Sequence, residues 1–328
     1  MKLLHFAASA ALFSTLAASH AAVADAPLLT PQTPIAVPGG PGGFDYMQID
    51  SAKHRLYASH PGKSTLVVLD LKTNAVQQLP TGSKINGIAV DAADNKLFTA
   101  GGGGKLVVFD NTTLAKTAEI TLSGPGDDIE LDPKNDTLYV CHDDATEDWV
   151  FDAKTNALLG SVPVAGAPEY VMYDAGTDRV YQNIKPANVL QVINPATMKV
   201  ETNWPTAPMT SPHGMAINFK THHVFSAGQG TAVMLDENTG KVLSSVTIAP
   251  GYVDQIAFDQ STGRLYCACG DAGVISVVQE SGQAITLAGN VTTHPKSHTL
   301  QVDPDTHAVW ISYSDPTGAY LQEYTAGK

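Results

Sequence analysis

Seven polar residues stand at nearly equal intervals along the chain: Asp45, Asn86, Asp127, Glu169, His213, Asp254 and His298, separated by 41, 41, 42, 44, 41 and 44 residues. None is apolar, Lys or Arg, so each can accept a hydrogen bond or ligate a cation. Imidazole beside carboxylate, as in His213, Asp254, His298 and Asp45, is the donor set of Zn²⁺, Mn²⁺ or Fe²⁺, whereas oxygen alone suits Ca²⁺ or Mg²⁺. An ion held there would polarise a carbonyl and acidify a bound water, with Glu169 or Asp127 across from it as the base of a metal-assisted hydrolysis or elimination. Asn86, His60 and His142 are further candidate ligand contacts, and Cys269 shares the repeat position of the two histidines. The competing reading is a polar channel mouth satisfied by water alone.

Residues spread over some 250 positions meet only if the fold is a ring of repeats. Five residues after each of the seven stands an acid or amide at the end of a short apolar run: Asp50, Asp91, Asp132, Asp174, Asn218, Asp259 and Asp303. Seven residues further on there is always an aromatic: Tyr57, Phe98, Tyr139, Tyr181, Phe225, Tyr266 and Trp310. Within each unit, apolar alternation on both sides of a polar turn reads as an antiparallel hairpin, as in Ile129 to Val140. A third strand follows (Thr65 to Asp70, Lys105 to Asp110) and then a fourth (Ala157 to Val164). Four short strands in about 42 residues make one propeller blade, so the fold class is all-β, a seven-bladed β-propeller of four-stranded antiparallel blades.

The last unit has strands at Leu300 to Val302, Ala308 to Ser312 and Ala319 to Glu323 but no room for a fourth. A spare stretch, Thr33 to Val37, precedes the first unit and is expected to close the last blade, removing an open edge. Histidines 54, 222, 223 and 307 fall in the turns of the opposite face and read as solvated.

Composition limits the remaining classes. Hydrophobic residues make up 43% and the net charge is −13, enough apolar surface for a core and the wrong sign for a phosphate backbone, so nucleic-acid binding is excluded. Lys2, the apolar run Leu3 to Ala18 and the small residues around Ala24 describe a signal peptide, residues 1–24, followed by one domain, residues 25–328. Export to the periplasm or medium follows, with no membrane span after cleavage and a monomer as the expected state. Three cysteines, Cys141, Cys267 and Cys269, make no disulfide framework and read as small buried strand residues. No Ser-His-Asp order, nucleotide fingerprint or haem-attachment motif is present, and Gly101 to Gly104 lacks the helix that phosphate binding uses.

The second-strand pairs Tyr139-Val140, Tyr57-Ala58 and Phe98-Thr99, each after a polar turn, resemble the YVTN-repeat, lactonase-like seven-bladed propellers of bacteria and archaea. The likeness covers essentially the whole mature chain. It implies one of several functions, since related propellers include lactonases, lyases, dehydrogenase subunits and binding proteins. The expectation is a divalent-metal or small-ligand site at the channel mouth, with hydrolysis of a lactone or ester as its chemistry. The alternative is a non-catalytic module that binds a small molecule or periplasmic protein, including an accessory subunit of an exported dehydrogenase.

Overall fold

Each repeat acid builds the turn that ends its own strand. In the computed structural model, which describes residues 27–327, Asp132 accepts the backbone N–H groups of Lys134 and Asn135 at 3.0 and 3.1 Å. Asp50, Asp91, Asp174, Asn218, Asp259 and Asp303 do the same for their turns. Four residues after each acid the chain enters the left-handed region, at His54, Asn95, Asp136, Asp178, His222, Gly263 and His307. Asn, Asp, Gly and His are the residues that tolerate that conformation, which explains why histidines collect here. Three of the turn histidines are not simply solvated. His222 pairs with Glu237 at 2.9 Å, buried His223 with Glu280 at 2.5 Å, and His307 with Asp259 at 3.3 Å, so each adds a partner to a buried carboxyl.

The strands assemble into seven antiparallel sheets, in the first blade Met47–Asp50, Arg55–His60, Thr65–Asp70 and Val76–Pro80. Successive innermost strands touch one another all the way round, the last (Leu300–Val302) reaching the first. All seven repeat aromatics are buried, and each joins a cluster with the following blade. Phe98 packs with Ile129 and Leu138, Phe225 with Ile256 and Leu265, and Trp310 with Met47 and Leu56, which seals the seventh blade to the first. The ring is therefore held by seven inter-blade cores rather than one centre.

Closure follows the expected route and extends it. Ile35–Val37 pairs antiparallel with Gly318–Ala326 in the seventh blade, and a second short strand, Leu29–Pro31, pairs further along the same strand. The expected leader, residues 1–24, lies outside the described residues. Among the described residues no helix is long and apolar enough to cross a membrane. All three cysteines are free and buried.

The turn acids give a direct test. Asp132→Ala strands two backbone donors and should lower unfolding free energy by about 1–3 kcal/mol in urea titrations, with Asp132→Asn losing roughly half as much. Equal loss for both variants would show that charge, not the acceptor, does the work.

Candidate functional site

The seven spaced polar residues converge at one mouth of the channel in two groups, one joined by hydrogen bonds and the other by close imidazole–carboxylate contacts. Asn86 donates from its amide to Asp45 at 2.8 Å and to Asp127 at 3.1 Å, joining the first three blades. On the other side His213 lies with Nε2 3.0 Å from Glu169 and 3.4 Å from Asp254, while Nδ1 of His298 is 2.5 Å from the second oxygen of Asp254. Asp45 thus bonds on the Asn86 side rather than within the imidazole arc, although Asp254 and His298 still act on its charge.

Sequence reasoning missed two members. The ammonium of Lys185, at the head of the turn Lys185–Ala187, sits 3.1 Å from Glu169 and 3.4 Å from Nε2 of His213. Tyr252, on the loop before Asp254, sets its ring edge-on between His213 (centroids 4.8 Å apart) and His298 (5.7 Å), with Lys185 5.8 Å from its centre. Hollows of about 540 and 290 Å³ open on either side, the first beside Glu169 and Lys185, the second beside His298 and Phe44.

The other candidate contacts lie elsewhere. His60 is buried, stacked on Phe44 at 4.3 Å with Nε2 2.9 Å from the Gly42 carbonyl; His142 stacks on Trp149 at 4.0 Å and faces Asp144 and Glu147. Cys269 is buried against Ser276 and the Cys267 carbonyl. This repeat position ends the second strand and packs sideways. One residue later, where Lys185 and Asp143 stand, the side chain reaches the mouth: strand alternation turns a one-residue shift into a change of face.

Below the ring, side chains from opposite blades meet across the channel. Tyr46 and Tyr170 meet with ring centres 5.7 Å apart, and the Tyr46 hydroxyl donates to the Glu169 carbonyl at 3.3 Å. Gln255 reaches across to the Met47 backbone, donating to its carbonyl at 2.9 Å and accepting its N–H at 3.2 Å. Asp128 accepts the Val171 N–H at 3.1 Å. At the same register Gly87 and Gly214 carry no side chain because a Cβ would come within 2.6 and 2.9 Å of the neighbouring strand's backbone. The mouth is a cup with a floor.

Burial in that cup changes the acids. Loss of solvent and the nearby Asp254 charge push Asp45 up to about 7. Burial and the Asp45 charge push Asp127 well above the carboxylate range, which favours its protonated, donating form over the base its position suggested. Burial opposes a charge on His298, but the bond to Asp254 outweighs it and holds the imidazole above its ordinary value. Burial and Asp254 also raise the Tyr252 phenol. As a metal site the set fits poorly: its nitrogens and oxygens are directed at one another, Lys185 supplies a cation, and among the described residues no group of three or more His, Cys, Asp or Glu side chains could hold an ion.

Ring and cup define a seven-bladed β-propeller with a polar site at one channel mouth. No family model matches the chain. Two curated relatives, the uncharacterized YncE proteins of Salmonella typhi and Salmonella typhimurium, are 24% and 23% identical over 177 residues, 52% of this chain. The chain spans about half the length of these relatives, 49%. Among solved structures, a chain of the Mitotic Checkpoint Complex superposes with a TM-score of 0.77 at 10% identity, covering 99% of each chain. The WD40 repeats of RRP9 give 0.76 at 8% identity, covering 91% of this chain and 100% of that one. Kuenenia stuttgartiensis hydrazine synthase gives 0.74 at 13% identity over 87% and 96%. At these identities the structures share the fold alone. The weak YncE similarity and the seven blades together fit a YVTN-like propeller.

Proposed function

We propose that the mature chain is an exported propeller that binds a small, neutral, oxygen-rich molecule, of the class of a hydroxylated lactone, in the cup at the channel mouth. The observation that carries this is the alternation of nitrogen and carboxylate groups along Lys185, Glu169, His213, Asp254 and His298. Donors and acceptors alternate within one concave surface, and their charges nearly balance, so hydroxyls and carbonyls find partners while a net charge on the ligand gains little. Tyr252 offers a face for the ring of such a molecule. Export rests on the leader-like start of the sequence.

Calorimetric titration of the mature protein with a panel of sugars and stable lactones tests the binding. Lys185→Met and His298→Ala should each weaken it at least tenfold, about the loss of one charge-assisted hydrogen bond. Unchanged affinity in both variants would remove the cup from the proposal. A stoichiometric divalent ion retained through purification would replace it with the metal-centred version built on His213, Asp254, His298 and Asp45.

Hydrolysis is the second reading, favoured by Asp45. A carboxyl near 7 is matched to general acid-base work at neutral pH, and lactonase-like propellers supply the substrate class. Turnover of the bound lactone with an inflection near pH 7 that Asp45→Asn abolishes would establish it; binding without turnover leaves a binding module.

A further inference from the structure

The opposite end of the channel holds a cavity of about 710 Å³, within the size of small-molecule sites. Much of its wall is apolar: Ala89 and Val90 from the second blade, Leu131 from the third, Tyr173 from the fourth and Phe219 from the fifth. Phe219 is 50% exposed. It directly follows Asn218, where the other six repeats place Ser51, Ala92, Pro133, Ala175, Gln260 and Pro304. The turns do not require an aromatic there, and it leaves the apolar wall open to solvent at its rim.

Not every polar group in the wall is occupied, and one of them, the Glu130 carboxyl, is peculiar to its blade. Asp91 and Asp174 also line the space, with both Asp174 oxygens and Oδ1 of Asp91 taken by turn N–H groups, and the Gln48 amide makes no side-chain hydrogen bond among the described residues. Glu130 uses one oxygen, which accepts the Tyr173 N–H at 3.3 Å, and the other takes no hydrogen bond among the described residues. At its place two residues before the repeat acid, the other repeats carry Gln48, Ala89, Met172, Ala216, Ala257 and Gln301, so this carboxyl is not part of the blade pattern. No Lys or Arg lines the cavity.

We propose that this turn-side mouth is a second binding site, for a small apolar molecule bearing one ammonium group. Its body packs on Phe219, Tyr173 and Leu131, and its ammonium meets the free oxygen of Glu130. Charge complementarity selects the class: three carboxyls and no cation in the wall reject anions, and an aromatic rim favours a cation over a neutral head group.

Burial pushes Glu130 up to about 8, with Asp132 adding to the rise and the Tyr173 N–H opposing it. Asp128 on the same strand, Asp91 and Asp174 on the flanking strands and the Tyr173 phenol are the other titratable groups around it. Pairing with an ammonium requires the ionised form, so affinity should rise about tenfold per pH unit up to about pH 8 and level off above it.

The test titrates the mature protein calorimetrically with 1-naphthylmethylamine, 1-naphthalenemethanol and 1-naphthoate, which share one apolar body. The amine should bind at least tenfold more tightly than the alcohol, and the carboxylate should not bind. Glu130→Gln should reduce the amine to the affinity of the alcohol while leaving the alcohol unchanged. Ala92→Trp, on the exposed rim, should abolish both without lowering the melting temperature, and Asp254→Asn in the ring should change neither. Equal binding of amine and alcohol, indifference to Glu130→Gln and Ala92→Trp, dependence on Asp254 instead, or no binding by any of the three would overturn the site.

Discussion

Lowering the pH from about 8 to about 5.5 should raise the melting temperature of this acidic protein by about 10 °C, because its buried carboxyls take up protons on folding. Burial pushes Asp148 and Glu130 each up to about 8 and Asp45 to about 7, and holds Asp127 and Asp128 well above the usual range. In the unfolded chain all five titrate near 4. Between about pH 4 and 8 the folded form therefore carries more protons than the unfolded one, and stability falls as pH rises through that window. Each fully engaged group contributes a slope of about 1.4 kcal/mol per pH unit. His298 acts in the same sense, since its folded value is raised and its contribution is lost as pH climbs past it. His60, lowered by burial, opposes them on acidification. The turn acids Asp70, Asp110 and Asp152 are lowered by hydrogen bonds from their own turns, and their loss begins only at more acidic pH.

Asp148 isolates the cause. It is fully buried opposite Cys141, and neither oxygen meets a hydrogen-bond donor among the described residues. Asp148→Asn keeps the shape and removes the ionisation. At pH 8 it should stabilise the protein by about 2–4 kcal/mol, and near pH 4 it should make little difference. Calorimetry of both forms across the range checks this; a melting temperature that climbs with pH, or a variant whose effect is the same at pH 4 and 8, would show that these acids are ionised and compensated in the native state.

What could be read from the sequence divides along a physical line. The ring was legible because a blade cannot bury its faces alone, so the same aromatic must fill the same inter-blade gap seven times, from Tyr57 to Trp310. The convergence of Asp45, Asn86, Asp127, Glu169, His213, Asp254 and His298 followed from the same periodicity. What periodicity could not supply was direction and contact. His60 and His142 sit one residue short of the position that faces the mouth, and counting one further would have produced Lys185 and Asp143. Tyr252 lies on a loop outside the repeat, and no spacing argument reaches it. The plug of Tyr46, Tyr170 and Gln255 stood in view as a row of mixed residues, but only packing across the channel makes it a floor.

Removing residues 27–40 should destroy the whole ring rather than fray one blade. Leu29 and Val37, both 3% exposed, anchor the two short strands that complete the seventh blade. Between them the Gln32 N–H donates to the Glu323 carbonyl at 2.8 Å, and the Gln322 amide donates to the Gln32 carbonyl at 2.8 Å. Val37 lies in the core that joins the seventh blade to the first, and Leu29 in the one that joins it to the sixth. Their loss thus opens two of seven interfaces and leaves Gly318–Ala326 as an unpaired edge. Nearest-neighbour coupling spreads the effect: a ring with one weakened joint loses the closure that every other joint depends on. The truncated chain should show no cooperative unfolding transition and should aggregate. The milder Leu29→Ala and Val37→Ala should each lose about 2–4 kcal/mol in urea titrations while unfolding in a single step. A peptide of residues 27–40 added to the truncated chain should restore part of the transition in proportion to its concentration. A truncated protein that melts like the full chain would mean that five intact joints suffice, and the acids and imidazoles of the cup would then owe their convergence to the blades alone.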